Sequence, residues 1–334
     1  MKPAPRAAGR VCPLRYHYGA KAMAHAVERE VQALYVIGGL YGNLPALDTI
    51  EAMAAAESVS PRLCFNGDFN WFNVSDASFE QVNRRVLAHD AIQGNVEAEF
   101  DSPADDAGCG CAYPDSVDSA TVERSNSIHR ELKTTALRHP EVTQAIAALP
   151  MLARYRVGGC RIGVVHGDAD SLAGWRFDVN ALDDPASLPW LSSVFASAQV
   201  DVFASTHTCL PAMRRTVLEP STTSGAVGWV SNNGSAGMPN FSGDLSGLIT
   251  RVATTPSPHE VLCEHRVAGV FLALMPVRFA VAPWQQAFLA QWPVDSAAWR
   301  SYYERISRGP RYDKTRAIAF TSKIQDVSER ASSA

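Results

Sequence analysis

Short apolar runs that stop at Gly, Asp, Asn or His punctuate the first third of the chain, and helical periods fill the intervals. Leu34-Tyr35-Val36-Ile37 is a compact β run closed by Gly38-Gly39-Leu40-Tyr41-Gly42-Asn43, after which Leu44, Leu47, Ile50 and Met53 recur at helical spacing. Leu63-Cys64-Phe65-Asn66-Gly67-Asp68 repeats the strand and its polar stop, and Phe79, Val82, Val86 and Leu87 repeat the helix. A third strand ends at Ile92-Gln93-Gly94-Asn95-Val96-Glu97. Strands buried on both faces read as continuous apolar runs, so this alternation predicts an α/β fold begun on parallel strands. Ligands in such sheets bind beyond the carboxyl ends of the strands, which is where each polar stop falls.

The remaining pattern is less regular. Residues 1–30 mix Pro, Gly, Ala and basic residues without a period, which predicts a loose N-terminal arm and order from about Val31. A stretch rich in Asp, Gly and Ala begins at Ala98, with Cys109-Gly110-Cys111 at its centre, and reads as an inserted loop. Helical patterns follow to about Ala148. Leu152 to Val157 and Arg161 to Val165 flank the hairpin signal Gly158-Gly159, and the second run ends in His166-Gly167-Asp168. A helix near Ser187 to Ala198 leads into Val200 to Ala204, which delivers Ser205-Thr206-His207-Thr208-Cys209. Short alternating segments from Met213 to Val277 predict a second, mainly antiparallel sheet, and Trp284 to Ile306 predicts an amphipathic helix ending before Gly309-Pro310.

Composition narrows the class. With 334 residues, 46% hydrophobic and 19% charged, the chain is a globular protein that can bury a sizeable core. A net charge of -4 without a basic cluster argues against nucleic acid as a partner. The N-terminus lacks the apolar core of a signal peptide and no long apolar run occurs, which argues against a membrane partner. Seven cysteines, an odd number in a chain this long, point to a reducing compartment and a cytoplasmic protein.

Asp68, Asn95, His166 and His207 share one placement, just after an apparent strand and beside Gly or Thr. A carboxylate, an amide oxygen and two imidazoles make a mixed oxygen and nitrogen ligand set, suited to Zn, Mn or Fe rather than to Ca or Mg. The single Cys-x-Cys pair at Cys109 and Cys111 is a poor zinc signature, since structural zinc usually takes two spaced pairs.

The ordered motifs Gly39-Leu40-Tyr41-Gly42-Asn43, Gly67-Asp68, Gly94-Asn95-Val96-Glu97, His166-Gly167-Asp168, Thr206-His207-Thr208-Cys209 and Asn232-Asn233-Gly234-Ser235 resemble those of the calcineurin-like metallophosphoesterases. The family order is D-x-H-G-N, G-D, G-N-H-[ED], H-G-D, G-H-T-H and N-P-G-S. The resemblance implies two β-sheets packed together and flanked by helices over residues 31–280; the composition within them marks an inserted loop at 98–125, and the pattern beyond them a C-terminal helical appendage and tail at 281–334. It also implies two metal sites. The second, matched by Asp68, Asn95, His166 and His207, is complete. The first keeps only Asp68, because Gly39, Tyr41 and Cys209 stand where the family has Asp, His and His. Tyr41 and Cys209 either rebuild that site as unusual ligands or pack around an empty pocket. The family's leaving-group histidine is replaced by Val96.

The expected cofactor is therefore one divalent transition ion (Mn, Fe or Zn), or two if Tyr41 and Cys209 ligate. The expected function is hydrolysis of a small phosphorylated substrate by a metal-activated water. The alternative is a non-catalytic or repurposed relative that binds a metal or phosphate ligand. Asn95 and Glu97 are the candidates for a catalytic part, Glu97 either as an acid or base replacing the missing histidine or as a partner orienting the ligands. Asp168 reads either as a partner orienting the ligands or as a capping residue. Arg305 and Arg308 either reach a phosphate from the tail or sit on a solvated helix face, the second being the simpler expectation.

Overall fold

Two six-stranded sheets pack face to face in the computed structural model, which describes residues 7–102, 107–219 and 226–319. In chain order the strands are β1 (Glu28–Val31), β2 (Ala33–Ile37), β3 (Arg62–Asn66), β4 (Asp90–Ile92), β5 (Leu152–Val157), β6 (Cys160–Val165), β7 (Val202–Ser205), β8 (Pro211–Val217), β9 (Val227–Asn233), β10 (Gly247–Ala253), β11 (Cys263–Val267) and β12 (Val270–Val277). One sheet has the order β1-β5-β6-β7-β9-β8 and the other β11-β12-β10-β2-β3-β4. Strands β2, β3 and β4 run parallel along one side of their sheet, and β6, β7 and β9 run parallel within the other, where β1 also joins β5 in parallel at the edge; the remaining pairs are antiparallel.

The late strands do not form a separate antiparallel sheet. β10 pairs antiparallel with β2, and β12 and β11 extend that sheet outward, while β8 and β9 join the other. Every residue of β10 is buried, which requires a partner on each side and a core on each face. The alternation of short segments could not reveal which sheet each would join.

Between the sheets Leu34, Val36 and Cys64 meet Ile162, Val164 and Val202. The outer face of the β2 sheet is covered by α2 (Leu44–Ala55), α3 (Asp76–Val86), α5 (Ser119–Leu137) and α6 (Pro140–Ala147), with the short α4 (Asn95–Ala98) after β4. The other outer face carries α1 (Ala20–His25), α7 (Val179–Asp183) and α8 (Leu188–Ala198). The C-terminal part folds as α9 (Val281–Gln291), α10 (Ala297–Arg308) and α11 (Lys314–Ala317). The expected single helix from Trp284 to Ile306 is split because Pro293 cannot continue α9, and Ser296 caps the new start by accepting from Trp299 N. No helix among the described residues is long and apolar enough to cross a membrane.

The expected loose arm is also corrected, from residue 7 onward; residues 1–6 lie outside the described residues. Tyr16 and Met23 are buried, β1 pairs in parallel with β5, and Arg10 donates to Pro114 O (2.7 Å) and Val117 O (2.6 Å). The inserted loop is shorter than 98–125, because α5 starts at Ser119 behind the Asp118 cap. Tyr16 Oη donates to the buried carboxylate of Glu99, which also pairs with Arg15. Tyr16→Phe leaves that carboxylate short of a donor and is expected to cost about 1–3 kcal/mol, the usual penalty for an orphaned buried acceptor. Urea denaturation with an unchanged m-value checks this.

Candidate metal centre

The packing of the two sheets brings four strand ends to one place. Asp68 follows β3, Asn95 opens α4 just beyond β4, His166 follows β6, and His207 follows β7. One ligand atom each from Asp68, His166 and His207 lie within 4.8 Å of one another. His166 Nε2 is 3.3 Å from Asp68 Oδ1, 3.1 Å from Asn95 Oδ1 and 3.2 Å from His207 Nδ1. All four residues that the sequence singled out as ligands are thus neighbours, and all four are buried.

Hydrogen bonds on the far side of each group fix which atom faces the centre. His166 Nδ1 lies 2.8 Å from Asn66 O, and a carbonyl only accepts, so the proton is on Nδ1 and Nε2 turns its lone pair inward. His207 Nε2 lies 3.1 Å from Cys111 O, so by the same argument Nδ1 turns inward. Asn95 Nδ2 donates to Cys109 O at 2.8 Å, leaving Oδ1 to face the others. A carboxylate, an amide oxygen and two imine nitrogens converge with their lone pairs on one point, an arrangement that repels itself unless positive charge sits there. The residues therefore fit a divalent cation.

The ionisation of the groups responds to the same field. Burial lowers the His166 pKa, but the Asp68 charge outweighs it and leaves it raised. Burial and the neighbouring His166 hold His207 down to about 3, so it stays neutral. Burial raises Asp68, and the two imidazoles more than offset that and leave it lowered. A proton and a metal ion would compete for this centre.

Supporting residues explain the local sequence. Gly67 and Asp68 have φ of 72° and 52°, and a side chain on Gly67 would run into the Gly94 backbone and the His166 ring. Glu97 accepts from Asp68 N (2.7 Å), Asn70 N (3.1 Å) and Gly94 N (3.2 Å). Both its oxygens are thereby committed to main-chain N–H groups that hold the β3 and β4 ends together. Burial and the Asp68 charge raise its pKa. Asp168 accepts from Asp170 N, Ser171 N and Arg176 N and shapes the turn after His166, as a capping residue does.

The place matching the family's first metal is filled by side chains. Tyr41 Oη lies 3.1 Å from Cys209 Sγ. Burial pushes both groups above their ordinary pKa, so they are a neutral phenol and thiol. A Cβ on Gly39 would sit 2.9 Å from the Tyr41 ring and hydroxyl. The phenol thus occupies the space an Asp at position 39 would need. Five of the eight non-glycine residues with positive φ among those described, Tyr41, Asp68, Phe72, Ala112 and Cys209, lie in or against this site, where such strain collects.

A cavity of about 40 Å³ opens beside the four residues, walled by Tyr41, Trp71, Tyr113, Trp175, Cys209 and Tyr302, with Val96 facing it where the family has its histidine. Among the described residues no Lys or Arg lines it. Tyr302 comes from α10, so the C-terminal helices complete the site. Arg305 from the same helix donates to Cys209 O (2.7 Å) and Pro239 O (3.0 Å), which corrects its expected place on a solvated helix face. Sequence reading also missed Cys109, Cys111 and Trp175. Their contribution is a pair of carbonyls and a ring, for which no motif exists; Trp175 Nε1 donates to Cys111 O (3.0 Å) while its ring meets the edge of His207.

No family model matches the chain. No curated protein matches it either. Among solved structures it is similar to a metallophosphoesterase from Sphaerobacter thermophilus, at 16% identity and a TM-score of 0.52, over 84% of this chain and 100% of that one. It is similar also to a hypothetical protein from Pyrococcus horikoshii, at 13% identity and a TM-score of 0.53, over 84% of this chain and 99% of that one. The chain has the calcineurin-like metallophosphoesterase fold.

Proposed function

We propose that this fold and its four-residue cage make the protein a metal-dependent hydrolase of small phosphate esters that works with one divalent ion, Mn, Fe or Zn, held by Asp68, Asn95, His166 and His207. The observation that carries the reading is the convergence of four lone pairs, each fixed from behind by a hydrogen bond or a main-chain clamp. When bound, such an ion polarises a phosphoryl oxygen and brings the pKa of a water toward roughly 7. The chain's own residues do the rest. The Asn66 and Cys111 carbonyls keep the two imidazoles in their ligating tautomers, the Cys109 carbonyl keeps the Asn95 amide oxygen turned inward, and Glu97 holds the Asp68 backbone in its left-handed turn. Trp71, Trp175 and Tyr302 exclude water and present aromatic faces to the alcohol half of the ester. With Val96 in place of an acid, departure of the alcohol is unassisted, which favours esters of acidic alcohols such as phenols.

A second reading is supported by one observation. The Tyr41 phenol packs on the Cys209 thiol where the resemblance places a first metal, and among the described residues no Lys or Arg lines the cavity, as a metal- or phosphate-binding protein without turnover would allow. Turnover of an aryl phosphate monoester and diester with Mn, Fe or Zn added in turn separates the two. Hydrolysis that requires one of the ions and is lost in Asp68→Asn supports the enzyme. A bound ion without turnover of either ester sinks it in favour of the binding reading.

A further inference from the structure

Cys109 and Cys111 are joined by a disulfide. Both residues meet the cage through their main chain: Cys109 O takes the Asn95 amide at 2.8 Å, and Cys111 O takes His207 Nε2 at 3.1 Å and Trp175 Nε1 at 3.0 Å. The Cys111 sulfur itself lies 3.5 Å from Asn95 Nδ2. Two of the four cage residues therefore owe their orientation to one three-residue loop. The chain on either side is tied elsewhere, Cys109 N to Asn126 Oδ1 (3.0 Å) and Tyr113 N to Gly9 O (2.9 Å). Gly108 just before the first anchor, and Gly110 and Ala112 between the two, have φ of 60°, 66° and 49°, a run of reversals that turns both carbonyls toward the cage. The sulfur bridge closes Cys109-Gly110-Cys111 into a small ring, and the ring keeps the two peptide planes from rotating independently.

We propose that this bridge is a redox-modification site, opened by small-molecule thiols, and that opening it loosens the grip of Asn95 and His207 on the ion; the second half rests on the metal reading above. Cys111 lines the cavity whereas Cys109 is fully buried, so Cys111 Sγ is the sulfur attacked. A thiolate from the small thiol bonds to Cys111 Sγ, and Cys109 Sγ leaves and takes up the proton. A second thiol then releases the mixed disulfide. One sulfur–sulfur bond of the protein breaks, one forms between the two small thiols, and two electrons and two protons pass to the protein. With the ring open the Cys111 peptide can turn away from His207. That imidazole is then free to change tautomer, and loss of such an outer partner lowers metal affinity by roughly 10–100-fold.

The test uses the full chain, incubated either with a small disulfide or with a small thiol that is then removed. Thiols counted after denaturation should be five in the first sample, matching Cys12, Cys64, Cys160, Cys209 and Cys263. The reduced sample should show all seven cysteines of the sequence. Zinc affinity, read by competition with a chromophoric chelator, should fall by about 10–100-fold on reduction. Cys109→Ser and Cys111→Ser should each show the weaker affinity in both samples. A metal-free readout keeps the two readings apart: the hydrogen-bonded imidazole N–H proton of His207, assigned by its absence in His207→Gln, should be sharp in oxidised protein and exchange-broadened in reduced protein. Zinc bound equally in both states with an indifferent His207 proton overturns the proposal. So does a count of seven that the small disulfide cannot lower. A His207 proton that follows the bridge in a protein that binds zinc in neither state overturns the metal reading and leaves the redox site standing.

Discussion

His207→Ala should leave the protein without a stoichiometric ion, whereas the unaltered chain, purified without chelator, should carry about one transition-metal ion per molecule. The expectation follows from the geometry of the cage. His207 Nδ1 is one of two inward nitrogen atoms, and removing it leaves Asp68, Asn95 and His166 as three ligands with an opening on the Cys111 side. A ligand that binds only the folded state stabilises it by mass action, by about 2.7 kcal/mol at a free concentration 100 times the dissociation constant. The unaltered protein should therefore unfold at higher temperature with metal than with chelator, and the variant should show no such difference. Elemental analysis and paired thermal unfolding check both statements. A variant that retains a full equivalent of metal would remove His207 from the ligand set; two equivalents in the unaltered chain would promote Tyr41 and Cys209 to ligands.

The cage residues were legible because each combines a chemical type with a position that a parallel strand dictates. An apolar run followed by Gly-Asp, Gly-Asn, His-Gly or Thr-His marks a carboxyl end, and the fold gathers carboxyl ends. Two features were out of reach for physical reasons. Sheet membership of β10 to β12 depends on long-range pairing with β2, and the alternation of side chains along β10 is the same whichever neighbour it takes. The hydrogen bonds from Cys109 and Cys111 use main-chain carbonyls, which every residue owns, so the C-G-C loop read as a plain insertion. The N-terminal segment misled for another reason. Its anchors, Tyr16 and Met23, are isolated apolar residues whose burial comes from surfaces already built by the β-sheets, and a short segment that docks on a finished surface needs no period of its own.

Restoring the family's ligand types at the filled site, by Gly39→Asp, Tyr41→His and Cys209→His together, should add a second ion and raise phosphate-ester hydrolysis, and the structure dictates the order in which the changes are tolerated. Gly39 has a φ of 65°, a conformation that Asp accepts better than most residues. Its new Cβ would nevertheless stand 2.9 Å from the Tyr41 ring, so Gly39→Asp alone should destabilise by about 1–3 kcal/mol, as overpacking of a filled core does. Tyr41→His shortens the obstructing side chain. Much of that cost should vanish in the double variant, a coupling of about 0.5–3 kcal/mol readable from a double-mutant cycle in urea. Cys209→His then replaces a neutral thiol by an imidazole beside the same cavity, and the triple variant presents a new carboxylate and two new imidazoles, alongside Asp68, to a second ion. Activity should remain limited by leaving-group departure, since Val96 faces the cavity and carries no proton. Adding Val96→His should raise turnover of alkyl esters by ~10²-fold, the lower end of what a positioned acid contributes, with a smaller gain for aryl esters whose alcohols leave unaided. A folded triple variant that still holds one ion, or that gains an ion and hydrolyses no faster than the unaltered chain, would mean that Tyr41 and Cys209 belong to a different chemistry and are not a vacated metal site.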